Sequence, residues 1–271
     1  MSLPLTHGTV VSKNILSKWT EADPFVNRLV STLESDEEVI ALLEMSNINA
    51  VKRLGFNDHG PVHARIVAGV ALEILNLLLN RNIGMSTLQD GTSKSIDEVK
   101  AILVLASYLH DVGNSIHREY HEMVGSLLAK DIVDRILQQI FPKIGGRRYM
   151  LRQEILSAIF STEYDVRALT MEASIVKLAD GLDMSEGRAR LPYKMGKIDM
   201  HSLSALNIKH VEISPAEDVP ILVSVYMDDL AGFFQVERVL MPKIESSKLK
   251  GLVRINIYNA RGELVASIKT G

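Results

Sequence analysis

Residues 95–114, SIDEVKAILVLASYLHDVGN, form a helix pattern that is apolar on nearly every side and ends in a histidine followed by an aspartate. Ser95 before an acidic first turn is typical of a helix start. A helix that is apolar all round is predicted to lie buried at the centre of a fold, and Gly113 marks its predicted end. A carboxylate such as Asp111 is costly beside a buried helix unless it is paired or bound to a cation. This stretch therefore predicts a helical core with a polar site at its edge.

The chain around this stretch, from about residue 24 to 190, is predicted to be mostly helical. Ser35 precedes an acidic first turn, and Pro61 stands where a helix would begin, before apolar residues at helical spacing. Residues 81–95 are polar and predict a loop. Further helices are predicted over about residues 117–139, 148–161 and 170–182.

The pattern changes after Pro192. Residues 221–227 and 253–258 alternate apolar and polar positions, which is typical of strands, and residues 259–268 predict a final hairpin. The predicted fold is thus mainly α, a helical bundle over residues 1–195, followed by a smaller β-rich (α+β) domain over residues 196–271. This second domain carries no catalytic cluster and is interpreted as a dimerisation surface or a specificity cap.

Composition excludes several classes of function. The chain has no cysteine, so disulfides, thiolate zinc sites and cysteine nucleophiles are ruled out. Thirty basic against 33 acidic residues leave a formal charge of −3, which disfavours a nucleic-acid binder. The N-terminus does not resemble a signal peptide, and no apolar run is predicted to span a membrane. We therefore expect a soluble, cytoplasmic protein.

The histidines are clustered. Five of the eight fall between residues 59 and 121. His59 and His63, like His117 and His121, are four residues apart and would share a face of a helix. A set of histidines beside Asp111 indicates a metal site, although any single histidine here is better explained by ordinary core hydrogen bonding. The phosphate-binding GxGxxG and GxxxxGK[ST] patterns and the GxSxG nucleophile pattern are absent.

The order His63, His110–Asp111, Asp180 resembles the H…HD…D pattern of the HD superfamily of metal-dependent phosphohydrolases. The surrounding stretches NDHGPVHARIVAGVALEIL, ASYLHDVGN and ASIVKLADGLDM resemble the helices that carry these residues in the family. The resemblance covers about residues 50–190.

The resemblance implies that His63, His110, Asp111 and Asp180 ligate one divalent metal ion, such as Mn, Fe, Ni, Co, Zn or Mg. The implied reaction is hydrolysis of a phosphoester of a nucleotide or another small phosphorylated molecule, by a metal-activated water. Asp111 would also orient that water.

Some members of the family hold a second metal with extra histidines. His121 begins HEMVG, which resembles one such element, and His117 is a second candidate. Near Thr162, where a further histidine is expected, there is none. If no second metal binds, His117 and His121 are expected to bind substrate phosphate or to act as acid catalysts.

Many HD proteins carry lysine where this chain has Asn114, so the cationic phosphate contact must come from elsewhere. Arginine suits bidentate phosphate contacts. The candidates for substrate or phosphate binding are His59, Arg118, Lys177, Arg188 and Arg190.

Two other functions remain open. The chain could be a non-catalytic metal- or nucleotide-binding HD sensor, or, with less support, a nuclease of the HD type. A homodimer is compatible with the apolar segment FFQVERVLMPKIESS, but core packing explains that segment equally well.

Overall fold

The two parts of the chain differ in architecture as expected. A computed structural model describes residues 8–184 and 204–271, and the helices dominate the first range. They are α1 (Ile15–Ala22), α2 (Pro24–Glu34), α3 (Glu37–Asn47), α4 (Pro61–Asn80), α5 (Ser86–Gln89), α6 (Ile96–Leu109), α7 (His121–Ile140), α8 (Arg148–Phe160) and α9 (Met171–Leu182).

Helix α6 is the centre of the bundle. The Ser95 side chain caps it by accepting a hydrogen bond from the amide of Glu98, as predicted. Every residue from Ala101 to Leu109 is buried, and the helix packs against α2, α4, α8 and α9. His110 and Asp111 follow its last residue and are therefore buried in the middle of the bundle.

Helix α4 is the second core helix. Gly60 precedes it and Pro61 occupies its first turn, where the missing N–H leaves no bond unmade. Its 20 residues are long and apolar enough to cross a membrane, but 72% of the apolar window is buried inside the protein. The burial identifies α4 as a core helix of the bundle.

Several predicted helix boundaries need correction. The cap of α3 is Asp36, whose carboxylate accepts from two amides, and not Ser35. Helix α6 ends at Leu109, and a 3₁₀ turn over Val112–Ser115 follows it. The predicted loop over residues 81–95 contains the short helix α5.

The helix predicted from residue 117 begins at His121, after Tyr120 in a left-handed conformation (φ 59°). The spacing of His117 and His121 therefore does not place them on one helical face.

The C-terminal region forms a sheet whose strand order is that of the sequence. Its strands are β1 (Thr9–Val10), β2 (Ile208–Ser214), β3 (Ile221–Met227), β4 (Val253–Tyr258) and β5 (Leu264–Lys269). Strands β3 and β4 are parallel, and the other pairs are antiparallel. The predicted strands β3 and β4 and the final hairpin β4–β5 are confirmed.

Strand β2 was not predicted, because a register shift between Ile208 and His210 interrupts its alternation. Strand β1 comes from the start of the chain and pairs with β2, so the sheet does not consist of C-terminal residues alone. The predicted boundary between residues 195 and 196 lies outside the described residues.

The segment that connects the parallel strands β3 and β4 packs against the helical part of the protein. It forms successive helical turns, Leu230–Gly232, Phe233–Gln235, Val236–Leu240 and Met241–Glu245, and we call the last of these α10. Helix α10 packs against α9, and α4 contacts β2 and β3. The buried apolar side chains of the helices and of the inner sheet face belong to one core.

Candidate metal centre

Three helices deliver the predicted ligands to one buried point. His63 lies in the first turn of α4, His110 and Asp111 follow α6, and Asp180 lies near the end of α9. The side chains of His63, His110 and Asp111 are almost completely buried. Groups from distant parts of the sequence thus meet where three core helices converge.

The ligand atoms face one another. His63 Nε2 lies 3.2 Å from His110 Nε2. The Asp111 Oδ2 atom lies 3.5 Å from His63 Nε2 and 3.3 Å from His110 Nε2. In this group of three residues, one ligand atom from each lies within 4.8 Å of the others, as a shared metal ion requires.

Asp180 stands beside the same group. Its Oδ1 atom lies 3.2 Å from His63 Nε2 and 3.5 Å from His110 Nε2. The structure therefore brings all four predicted metal ligands together.

The donor set fits a divalent cation. Asp111 Oδ2 is buried and has no hydrogen-bond partner among the described residues, which is costly for a charged oxygen. The second ring nitrogens are occupied, because His63 Nδ1 bonds to Asp183 Oδ2 at 2.7 Å and His110 Nδ1 to the Ser107 carbonyl at 2.9 Å. These bonds place the Nδ1 protons away from the centre and leave both Nε2 atoms for a cation.

The electrostatics of the site favour positive charge at its centre. Burial opposes the charged form of each group, but the opposite charges outweigh it. The pKa of Asp111 is held well below its ordinary value by His110, and that of Asp180 by Lys243 and the imidazoles. The two carboxylates raise the pKa of His110 to about 10. A bound cation would satisfy the same two carboxylates.

Asn114 holds the other oxygen of Asp111. Its side-chain amide donates to Asp111 Oδ1 and to the Asp111 carbonyl, each at 3.0 Å. Asn49 in turn donates to the Asn114 carbonyl at 2.7 Å. The asparagine in the position of the family's lysine therefore orients the carboxylate and does not supply a cation.

Gly113 allows helix α7 to reach the site. A Cβ atom at Gly113 would lie 1.9 Å from the His121 carbonyl oxygen and 2.7 Å from the Gly125 amide nitrogen. The backbone contact requires glycine at residue 113 and brings His121 close to Asp111.

His121 and Arg118 lie at the edge of the centre. His121 is buried, and its Nε2 is 3.3 Å from Asp111 Oδ1 and 2.9 Å from Arg118 Nη1. Burial opposes the charge of His121, but its contacts with Asp111 and Glu122 raise its pKa. The Arg118 guanidinium lies over the Phe56 ring, 5.6 Å from its centroid. Both residues therefore border the group of candidate ligands.

His59 and His117 have different surroundings. The His59 ring is buried and its centroid lies 6.0 Å from that of His63, so it borders the centre. His117 is exposed, and its Nδ1 accepts a hydrogen bond from the Glu119 amide. The structure therefore does not bring His117 into the group of ligands. Arg188 and Arg190 lie outside the described residues.

The assignment of Lys177 to substrate phosphate must be corrected. Its ammonium donates to the carbonyls of Glu163, Tyr164 and Val166 at 2.7, 3.2 and 2.7 Å. Three carbonyls take up its three N–H donors, and the side chain is fully buried. Burial and the charge of Lys243 lower its pKa to about 8. Lys177 therefore stabilises the turn after α8 through hydrogen bonds to its carbonyls.

Sequence reasoning missed Lys243. This buried residue of α10 donates to Asp180 Oδ2 at 2.7 Å and to the Thr162 carbonyl at 2.8 Å. Burial opposes its charge, but Asp180 outweighs this effect and raises the pKa of Lys243. Lys243 lies 63 residues after Asp180, in an apolar helical turn, so the neighbouring sequence does not indicate that the two residues are in contact.

A helical bundle that gathers two imidazoles and two carboxylates around one buried point defines a candidate N/O metal protein. Residues 56–185 match the HD domain family. The chain is also 40% identical over 223 residues to the uncharacterized protein MJ1020 of Methanocaldococcus jannaschii, covering 82% of this chain and 85% of that protein. No solved structure is significantly similar to the chain. The protein belongs to the HD domain family, which is typical of metal-dependent hydrolases.

Proposed function

We propose that this protein is a metal-dependent phosphohydrolase. The observation that carries the proposal is the convergence of His63 Nε2, His110 Nε2 and Asp111 Oδ2 at one buried point, where the Asp111 oxygen accepts no hydrogen bond from the described residues. Asp180 Oδ1 completes the proposed ligand set. When bound there, a divalent cation supplies Lewis acidity to a phosphoryl oxygen and to water.

The residues around this point suit proton transfer. Asp111 Oδ1, held by Asn114, is oriented to accept a hydrogen bond from an attacking water. His121 Nε2 faces both the Asp111 carboxylate and the Arg118 guanidinium. In this structure Nε2 accepts from Arg118, while Asp111 and Glu122 favour the protonated imidazole, whose proton would then pass to a leaving oxygen. We therefore assign Asp111 to positioning the water and His121 to acid catalysis.

The proposed substrate is a small, nucleotide-like phosphoester. Arg118 carries donors that can bind a phosphate in a bidentate manner. Phe56, which lies beneath this guanidinium, is 37% exposed and offers an aromatic face next to the charge. The buried His59 borders the metal centre beside His63. A cation and an aromatic surface side by side suit a phosphate linked to a ring.

The decisive experiment is a screen of the purified protein, loaded with Mn²⁺, Ni²⁺, Co²⁺, Zn²⁺ or Mg²⁺, against nucleotides and other phosphoesters. We expect the wild type to release phosphate and to bind metal stoichiometrically, and we expect Asp111→Asn to abolish both. The control Asp131→Asn changes a carboxylate whose side chain is 85% exposed, and it should leave both unchanged.

Other outcomes would replace the proposal. Nucleotide binding without turnover by any metal-loaded form would establish a sensor. Salt-dependent RNA cleavage would establish a nuclease.

Three further features belong to this proposal. We place the protein in the cytoplasm, as a homodimer, with one metal ion per chain. Edge strand β5 exposes Leu264 and Val265 by 55% and 47%, which supports a contact between copies. Sedimentation analysis tests the dimer, and metal quantification tests the stoichiometry. His117 is exposed, so we do not propose that it binds a second metal.

A further inference from the structure

Lys243 reaches the centre from the C-terminal region. Its side chain is 4% exposed, and its ammonium bonds to Asp180 Oδ2 and to the Thr162 carbonyl. The Tyr164 ring lies 4.6 Å from the same nitrogen. Burying a charged group so deeply costs free energy unless an opposite charge and hydrogen bonds offset its desolvation. These contacts hold the ammonium at one place beside α9.

Gly181 makes this approach feasible. A Cβ atom at residue 181 would lie 3.0 Å from Cδ of Lys243 and 3.3 Å from Leu240 Cδ1. The lysine stem therefore crosses α9 directly over the residue that follows Asp180. Because residue 181 has no side chain, the Lys243 stem can pass close to the α9 backbone and reach Asp180.

The two oxygens of Asp180 have separate partners. Oδ2 accepts the Lys243 bond at 2.7 Å, and Oδ1 lies 3.2 Å from His63 Nε2. The ammonium therefore determines which oxygen faces the imidazoles. A carboxylate that is free to rotate would present either oxygen, or both, to a cation.

We propose that Lys243 is a positioning residue of the metal centre, holding Asp180 so that Oδ1 alone faces the cation. The proposal rests on the metal centre of the proposed function and extends it, because it makes that centre depend on the C-terminal region. Outer partners of metal ligands commonly contribute ten- to hundredfold to metal affinity or activity. The ammonium also repels a cation, and we expect the fixed orientation of Asp180 to outweigh this repulsion.

The experiment measures the Mn²⁺ affinity of the full-length protein by calorimetry, with folding checked by circular dichroism. Lys243→Met should weaken Mn²⁺ binding about tenfold or more. Lys243→Arg, which keeps a cationic donor to Asp180, should weaken Mn²⁺ binding clearly less than Lys243→Met does.

Lys177→Met is the matched control. Lys177 is equally buried, but it donates to the backbone carbonyls of Glu163, Tyr164 and Val166, whereas Lys243 donates to the carboxylate of Asp180. We expect Lys177→Met to lower thermal stability and to change Mn²⁺ affinity by less than about threefold. An equal loss of affinity in both variants would show a merely structural role and overturn the proposal.

Gly181→Ala tests the same idea without removing a charge. Its Cβ would lie 3.0 Å from Lys243 Cδ, so the stem must shift by a few tenths of an ångström, and we expect Mn²⁺ binding to weaken about threefold. If Lys243→Met does not fold, this variant decides the question, and wild-type affinity in Gly181→Ala overturns the proposal. Unchanged or tighter binding in a folded Lys243→Met does the same.

Failure of the proposed function gives a different result. A wild-type protein that binds Mn²⁺ but hydrolyses no phosphoester refutes the hydrolase and leaves the affinity comparison to judge Lys243. A wild-type protein that binds no divalent ion overturns both.

Discussion

Asp183 accepts a hydrogen bond from His63 Nδ1 at 2.7 Å, and this contact directs His63 Nε2 toward His110 and Asp180. The Asp183 carboxylate lies about one turn after Asp180, at the end of α9. One short segment thus contributes both a proposed ligand and the group that orients another ligand. The tautomer of His63 depends on this contact because a neutral imidazole carries a single N–H.

Replacing Asp183 with asparagine tests this orientation. The introduced amide can donate as well as accept, so it no longer specifies which His63 nitrogen carries the proton. We expect Asp183→Asn to weaken metal binding about tenfold while the protein stays folded. Metal quantification after dialysis and calorimetry measure the change. Retention of wild-type affinity would show that the tautomer does not depend on Asp183.

Substitution at Gly113 should be severely destabilising. A Cβ there would meet the backbone of α7 at the His121 carbonyl, and backbone cannot move aside as a side chain can. We expect Gly113→Ala to cost several kcal/mol, on the order of 3, and to abolish metal binding. Urea unfolding measures the stability.

Gly146→Ala is the control for this experiment, because a Cβ there meets nothing within 4 Å. Its stability should stay within about 0.5 kcal/mol of the wild type. Equal effects of the two substitutions would contradict the packing argument.

The Asp36–Arg135 pair predicts a pH dependence of stability. The Asp36 carboxylate accepts from Arg135 Nε at 2.8 Å and from Nη2 at 2.7 Å. These bonds lower the pKa of Asp36. A lowered folded-state pKa adds stability above the unfolded pKa of about 3.9, and this stability is lost as the pH falls through the folded pKa.

Asp36→Asn keeps the helix-cap oxygen and removes the charge. We expect it to cost about 1 kcal/mol at pH 7 in urea unfolding, given that Arg135 is partly exposed. The difference from the wild type should shrink below about pH 4. A difference that does not vary between about pH 7 and pH 3 would contradict the ion-pair explanation.

Arg118 should act on substrate binding. If its guanidinium binds the phosphate, Arg118→Ala should raise the KM for a phosphoester about tenfold or more while the metal content stays at the wild-type level. Arg261→Ala changes an exposed arginine of the β4–β5 turn and serves as the control. A fall in kcat with unchanged KM would assign Arg118 to supporting His121 instead.

Local signals predicted the helical part of the fold well. The cap at Ser95, the proline at the start of α4 and the apolar surface of α6 each act within a few residues. They succeeded because capping and burial leave a pattern in adjacent sequence. The start of α7 was missed because Tyr120 adopts a left-handed conformation that its residue type does not announce.

The sheet was predicted less completely. Strands β3 and β4 alternate regularly and were recognised. The bulge in β2 hides its alternation, and β1 has two residues that become a strand only by pairing with β2. Pairing between distant segments leaves no local pattern.

The candidate ligands could be named from sequence because their order and surroundings resemble the H…HD…D pattern of the HD family. Imidazoles and carboxylates are costly to bury at the ends of apolar helices without a partner, and the proposed metal ion would be the common partner of His63, His110, Asp111 and Asp180. What sequence could not show is which charged side chain faces the centre. Lys177 and Lys243 are both buried lysines, yet the first is taken up by carbonyls and the second holds Asp180. That difference arises from the packing of α10 across α9, a contact between residues 63 positions apart in the chain that no local interaction specifies.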